Sequence, residues 1–489
     1  MIPAFLPELV LLGGALVLFA ISLGNGRAVL ARRAVLFVSL ATLAASAAAL
    51  GETSTLFSGA YRVDAFSQVL KLTLSAGFVL VVLAGGRLPD IRVDVHPEYH
   101  FFLTTSVTGL VMLVSCVELI TLVVALELAS FPLYLMVPMR RERPGQRVQM
   151  ESAIKYILFG VAANGVMFFG MSYLFGLTGT TSIPGIMAKL AGATGASPAG
   201  SDALPLGVSP WAIAGLSLMF CGIYYKLAVF PFHFWAPDVY QGASNETAAL
   251  ISSLPKVGAV AVLARFASLA PPEHATLAQV FVLLSAASMF YGNLVALVQT
   301  DLKRLLGFSS IAHAGYALLG FVALDADGLR AALYYIAGYL VMILAAFTVA
   351  SRVSRDGTNV AIQDLSGLHR RSPLLALTLL VSMFALAGVP PFVGFTGKLT
   401  LLSAALANGH LTLVILAVLN SAIAIYYYLG VVREAFFRDA SDVSPIPLDF
   451  PTRLLCVLLV ALIVALGVAP EAVLARLSAA VTALGLVGG

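Results

Sequence analysis

Runs of apolar residues long enough to cross a bilayer recur from one end of this 489-residue chain to the other, with little sequence left between them. A spanning helix takes about 20 such residues. The runs fall at about 3–24, 33–50, 66–86, 101–116, 118–138, 151–177, 210–235, 246–269, 275–298, 304–323, 329–351, 373–407, 411–432 and 454–475, which makes about fourteen. Lipid offers no partner for a free N–H or C=O, so the chain is read as an all-α polytopic membrane protein. Composition supports this: 60% of residues are hydrophobic, 11% are charged and the mean hydropathy is +0.97, which excludes soluble, disordered and collagen-like classes. Cys116, Cys221 and Cys456 lie far apart in apolar runs, with neither disulfide nor metal-ligand spacing. The first segment carries Glu8 and lacks a basic start or a small-residue cleavage site, so it is read as a retained span.

The net charge is +4, too small and too dispersed to imply a nucleic-acid partner; the placement of the charges says more than their sum. If the N-terminus faces outward, the inward loops hold 18 of the 28 Lys and Arg residues and the outward loops hold 5 (Arg62, Lys189, Arg265, Arg330 and Arg476). Cytoplasmic loops carry such an excess. Both termini are therefore expected to face outward.

The five remaining basic residues, Lys71, Lys155, Lys226, Lys256 and Lys398, fall within the runs, and all are lysines in a chain with 21 arginines. Lysine gives up its proton when burial and neighbouring charge favour it, whereas a guanidinium does not. The pattern suggests a proton relay.

Two runs are broken in a matching way. Around Lys226 the chain reads CGIYYKLAVFPFHFWAPDVYQGA, with Pro231 a turn after the lysine and a second breaker at Pro237. Around Lys398 it reads LAGVPPFVGFTGKL, so the 373–407 run is expected to be one discontinuous helix, with two short helices as the alternative. Paired interrupted spans point to an ion site in a transporter with inverted repeats. Runs 4–8 and 9–13 make two units of five, broken in the fourth, and an odd number inverts the second unit. The expected organisation is residues 1–100 (three helices), 101–270 (first five-helix unit), 274–438 (second unit) and 452–489 (C-terminal helix).

Glu127 lies deep in the fifth run, where a carboxylate costs several kcal/mol unless protonated or paired. Lys155 opens the sixth run, so a Glu127–Lys155 or Glu127–Lys226 pair is expected, acting in proton transfer or as a static tie between helices. Lys226, Lys256 and Lys398 are central, against the alternative that they snorkel to an interface. Lys71, near the outer end of its run, is within reach of that interface. His233 and His313 are the histidines well inside the runs. An imidazole exchanges protons near neutral pH, so His233 is a candidate link between Lys226 and Lys256. His313, with Ser309, Ser310 and Tyr316 on nearby turns, is a candidate link between the two halves. Either is equally read as a packing residue.

The stretches VALELASFPLY, ESAIKYILFG, YYKLAVFPFHFWAPDVYQGA, LVALVQTDLKRLLGFSSIAHAGYALLG, LAGVPPFVGFTGKL and NSAIAIYYYLGVVREAFF together resemble the antiporter-like membrane subunits of respiratory complex I, the NADH-quinone oxidoreductase. PDVYQG points to the subunit N branch. The resemblance covers about residues 64–470. It implies a fourteen-helix fold with two inverted five-helix units and a midplane proton path, in which Glu127, Lys155, Lys226, Lys256, Lys398 and His233 occupy family positions. It further implies proton translocation coupled to quinone reduction in other subunits, a bacterial inner membrane with both termini periplasmic, and partners among the other membrane and peripheral subunits. No cofactor is expected in this chain; NADH, FMN, iron–sulfur clusters and quinone belong elsewhere in the complex. Two features depart from the family: ASNETAAL follows PDVYQG where prolines are usual, placing Glu246 at the start of a run, and Lys71 matches no family position. A second class sharing this fold is a subunit of a multisubunit Na⁺ or K⁺/proton antiporter. Sodium wants several oxygen ligands and the runs offer few carboxylates besides Glu127, which favours protons.

Overall fold

A computed structural model describes residues 2–24, 26–86, 88–141, 148–190, 210–268, 275–354, 357–439 and 444–485. Arg87, Arg143, Arg147 and Arg355, counted above in the inward loops, lie outside the described residues, as does the 270–274 unit boundary. Two helices, α1 (Leu6–Ser22) and α2 (Ala28–Ala48), lead into a hairpin of β1 (Ser54–Leu56) and β2 (Tyr61–Val63), antiparallel with Ser54 opposite Val63. Then follow α3 (Ala65–Gly85), α4 (His96–Leu113), α5 (Leu119–Met136), α6 (Val148–Thr178), α7 (Ile183–Leu190), α8 (Pro210–Leu227), α9 (Trp235–Gly242) and α10 (Asn245–Ala267). The second half holds α11 (Ala275–Ala296), α12 (Leu302–Leu318), α13 (Ala326–Val353), α14 (Leu368–Arg371), α15 (Pro373–Ala387), α16 (Val393–Ala407), α17 (Leu411–Phe437), α18 (Phe450–Val468) and α19 (Glu471–Thr482).

Among the described residues, ten of these helices are long and apolar enough to cross a membrane. The core lies along α10 and α13: the whole apolar stretch of α10 is buried, whereas α2, α11 and α17 bury about a third of theirs and turn Phe37, Leu294 and Val418 outward. Helices apolar on all sides suit a surrounding that is itself apolar. The end of the bundle bearing the hairpin is called here the hairpin side, and the end bearing the α9–α10 connection the turn side.

Both interruptions anticipated from the prolines are present, with different details. α8 stops at Leu227, where Ala228 takes a left-handed φ of 61°, and α9 begins at Trp235. The break therefore starts directly after Lys226–Leu227, and Pro237 sits inside the first turn of α9, where a proline is tolerated, so it breaks nothing. Pro255 likewise does not interrupt α10. The 373–407 run is two 15-residue helices, α15 and α16; Gly388 (φ 89°) ends the first, as the left-handed region favours glycine. A β-carbon on Gly394 would lie 1.7 Å from the Ala385 carbonyl oxygen, a backbone atom that cannot yield. Gly394→Ala is expected to cost about 3 kcal/mol or more by overpacking. It should lower the amount of chain in the membrane fraction, while Gly165→Ala, which meets nothing within 4 Å, serves as the neutral control.

Three further expectations are corrected. The 454–475 run is not one segment: α18 ends at Val468 and α19 starts after Pro470, which lacks the N–H to continue the ladder. Lys71 does not reach an interface; it is fully buried, 2.5 Å from the equally buried Glu8. Nor are the buried cations only lysines of the runs. Arg140 and Arg265 are each 5% exposed and Lys303 is fully buried, although Arg140 and Lys303 fall between the apolar runs in sequence and Arg265 near the end of one.

Candidate functional site

An interrupted helix leaves its last carbonyls without intrahelical donors, and these orphans gather the site. At the end of α8, the Tyr224 oxygen accepts from the Val229 N–H (3.0 Å), and the Tyr225 oxygen from the Ala228 N–H (3.0 Å) and the Trp235 indole (2.9 Å). The Leu227 oxygen accepts from the Lys256 ammonium, at 3.0 Å. At the end of α15 the arrangement repeats: Gly388 and Val389 N–H groups satisfy Phe384, and the Lys398 ammonium donates to the last carbonyl, Ala387, at 2.9 Å. Each break thus sets an ammonium on the negative end of a half-helix, where cations are favoured.

Lys226, in the last turn of α8, donates to the Ser130 hydroxyl at 2.6 Å and lies 3.4 Å from the Tyr134 hydroxyl, both on α5. Ser130 is one turn from Glu127 along that helix. A cavity of ≈ 10 Å³, about the least that holds one water, opens beside Lys226 between Ser130, Tyr156 and Trp235. Lys256 also donates to the Ser310 carbonyl of α12 (2.9 Å) and lies 5.5 Å from the centroid of the Tyr339 ring. Lys398 lies 3.3 Å from the Ser421 hydroxyl and 4.5 Å from the centroid of the Tyr316 ring. Among the described residues no carboxylate oxygen comes within 4.0 Å of these three ammonium groups.

Between Lys256 and Lys398 runs one face of α12. Ser309 and His313 are four residues apart and His313 and Tyr316 three, so their side chains line up along the helix. The imidazole of His313 lies between the Tyr335 hydroxyl (Nδ1, 2.6 Å) and the Tyr428 hydroxyl (Nε2, 3.0 Å), and Tyr428 also bonds Ser309. The Tyr316 hydroxyl bonds Ser421 at 2.8 Å, and Ser421 reaches Lys398. Two hydrogen-bonded groups therefore lie along this face: Ser309, Tyr428, His313 and Tyr335, and, about a turn on, Tyr316, Ser421 and Lys398, while Lys256 sits at the Ser310 carbonyl.

Other anticipated residues fall elsewhere. Neither Glu127 pair forms: Glu127 accepts from the Asn164 amide of α6 at 2.5 Å, and Lys155, nine residues earlier on α6 and 37% exposed, pairs with Glu151 (2.6 Å) and Asp238 (2.7 Å). Asp238 is shared with Arg304 at 2.6 Å, so Lys155 belongs to an ion-pair group at the turn side. Nine residues of helix are about 13 Å, which explains the miss. His233 does not bridge Lys226 and Lys256; among the described residues its nitrogens have no partner, and its ring packs on Phe230, Phe234 and Tyr291. Missed in the sequence were Asn164, Tyr134, Tyr335, Tyr339, Tyr428 and Ser421. A signal for two of them exists in YYIAGYL, where Tyr335 and Tyr339 are spaced by four.

The family described as "NADH:quinone oxidoreductase/Mrp antiporter, TM" matches residues 116–424. The chain is 61% identical to "NADH-quinone oxidoreductase subunit N 2" of Opitutus terrae over 469 residues, 96% of this chain and 95% of that protein. Among solved structures, a chain of respiratory complex I from Thermus thermophilus with bound aureothin superposes with a TM-score of 0.81 at 32% identity, covering 97% of this chain and 99% of that one. A chain of the Mrp complex from a Dietzia species shares the fold (TM-score 0.85, 20% identity, covering 99% and 98%).

Proposed function

Because the chain belongs to the NADH-quinone oxidoreductase subunit N family of multi-pass membrane proteins, we propose that it moves protons across a bacterial inner membrane, driven by quinone reduction in other subunits of the complex. The observation that carries this reading is the file of polar side chains along α12 between Lys256 and Lys398: Ser309, Tyr428, His313 and Tyr335 hydrogen-bonded in one group, then Tyr316 and Ser421 leading to Lys398. Hydroxyls and imidazoles both donate and accept, so each member can pass a proton on. Ammonium groups held by neutral oxygens, without a carboxylate partner, lose charge at less cost than ion-paired ones. Moving a charge against 100 mV takes about 2.3 kcal/mol, the equivalent of one to two units of a lysine pKa at ~1.36 kcal/mol each.

In this reading α8 with α9 and α15 with α16 each form one discontinuous crossing, and with α4 and α12 they bring the crossings to fourteen. Residues 101–270 and 274–438 are the two inverted units. The turn side is inward, in keeping with the 18-to-5 division of basic residues, and both termini are periplasmic. Redox groups are placed in the partner subunits. The test is the assembled complex in closed proteoliposomes: Lys226→Ala and Glu127→Ala should each lower coupled NADH oxidation and proton yield severalfold at normal assembly. Unimpaired pumping in both would overturn the relay, and a sodium requirement for transport would turn the reading toward the cation antiporters.

A further inference from the structure

At the turn side, α10 opens with a carboxylate that the file above does not use. Glu246 is 4% exposed; one carboxyl oxygen lies 3.4 Å from the Ser351 hydroxyl of α13 and the other has no partner among the described residues. The cations nearby are engaged elsewhere. Arg140 directs all five N–H groups to Asp90, the Gln241, Gly242 and Gly357 carbonyls and Asn359, and Lys303 donates to the Ala243 carbonyl at 2.7 Å. These two grips fix the α9–α10 turn and leave Glu246 beside it without a counter-ion within 4.0 Å among the described residues. A buried carboxylate so placed either holds a proton or draws one in.

Two contacts show where this group leads. Glu246 meets Ser351 at one point of the α10–α13 interface, and Lys256 meets the Tyr339 ring at another, ten residues along α10 and twelve along α13. The helices therefore run side by side over about 15 Å. Ser253 on α10, on the helix face shared by Glu246 and Lys256, and Thr348 on α13 fall between these two points, both fully buried with their hydroxyls bonded to carbonyls of their own helices. We propose that Glu246 is the proton-loading group of the turn side, passing protons along the α10–α13 interface to Lys256. The carboxylate takes a proton from the aqueous phase, releases it through the intervening hydroxyls and water to the neutral Lys256 amine, and returns to its anionic form.

This rests on the proton-translocating reading, so the experiment includes a variant that tests that reading alone. In the complex reconstituted into closed proteoliposomes, Glu246→Gln should assemble normally and lower coupled turnover by about tenfold or more. It should also remove a carboxylic-acid band from the reduced-minus-oxidised infrared difference spectrum, and Glu246→Asp should restore part of the rate. Wild-type turnover and proton yield in Glu246→Gln would overturn the proposal. If that variant fails to assemble, the double variant Ser253→Ala/Thr348→Val decides, because slowed pumping supports the route and an unchanged rate overturns it. Lys226→Ala and Glu127→Ala are measured in parallel: impairment there with a normal Glu246→Gln sinks this inference only, whereas normal pumping in both sinks the reading it rests on.

Discussion

Replacing Lys256 with Ala should reduce coupled NADH oxidation and proton yield of the assembled complex on the order of a hundredfold, the scale of losing a positioned acid–base group. The ammonium joins three elements: it caps the end of α8 at Leu227, holds α12 at Ser310 and faces Tyr339 of α13. Alanine removes the proton carrier and also leaves the buried Leu227 carbonyl without a donor, at about 1–3 kcal/mol. The two effects separate in Lys256→Arg, which keeps the charge and the donors but cannot give up a proton. The arginine variant should assemble close to normally and still fail to pump. Recovery of pumping with arginine would make Lys256 a structural cap and nothing more.

The second large effect is expected at the hairpin side. Asp64 caps α3 through the Ser67 N–H and receives two bonds from the Arg265 guanidinium, at 2.6 and 2.9 Å, while Arg265 also reaches the Val114 carbonyl at 3.1 Å. This one pair ties the start of α3 and the end of α4 to the end of α10. Arg265→Ala would leave the buried carboxylate with the Ser67 N–H and, as its remaining ion-pair partner among the described residues, Arg62 at 3.4 Å, and should destabilise the chain by about 3–5 kcal/mol. The measurement is the temperature of half-inactivation and the amount of subunit retained in the complex. Arg265→Lys, which keeps the charge and loses the fork, should fall between wild type and alanine. Burial pushes the Asp64 carboxyl up, but Arg265 and the bonds from Ser67 outweigh it and hold the carboxyl below the usual carboxylate range. A carboxylate with a lowered folded-state pKa stabilises above its unfolded value near ~3.9 and loses that contribution as pH falls below it. Acidifying the hairpin side below about pH 4 should therefore weaken wild type and spare an Asp64→Asn variant, whose stability is already reduced and does not titrate there.

Much of the site was legible because a membrane makes charge expensive. A lysine in an apolar run is conspicuous, and Lys226, Lys256 and Lys398 were placed by that rule alone. The prolines and glycines beside Lys226 and Lys398 marked the breaks, since their effect on the backbone is local. Partners were not legible in the same way. Glu127 and Lys155 lie on consecutive helices, and only the depth of each along its helix decides that Glu127 meets Asn164 while Lys155 meets Asp238. His233 and His313 look alike in sequence, yet one ring is packed among aromatic side chains and the other sits between two tyrosine hydroxyls.

A helical membrane protein, the residues that are costly to bury and the two broken helices are all legible in the amino-acid order, because hydropathy and proline geometry act over a few residues. The tertiary structure alone decided which of those residues face one another. That Lys256 caps the broken α8, that α12 carries His313 between two lysines, and that Glu246 stands without a counter-ion beside α13 depend on how distant helices pack, and helix packing is set by contacts across the bundle.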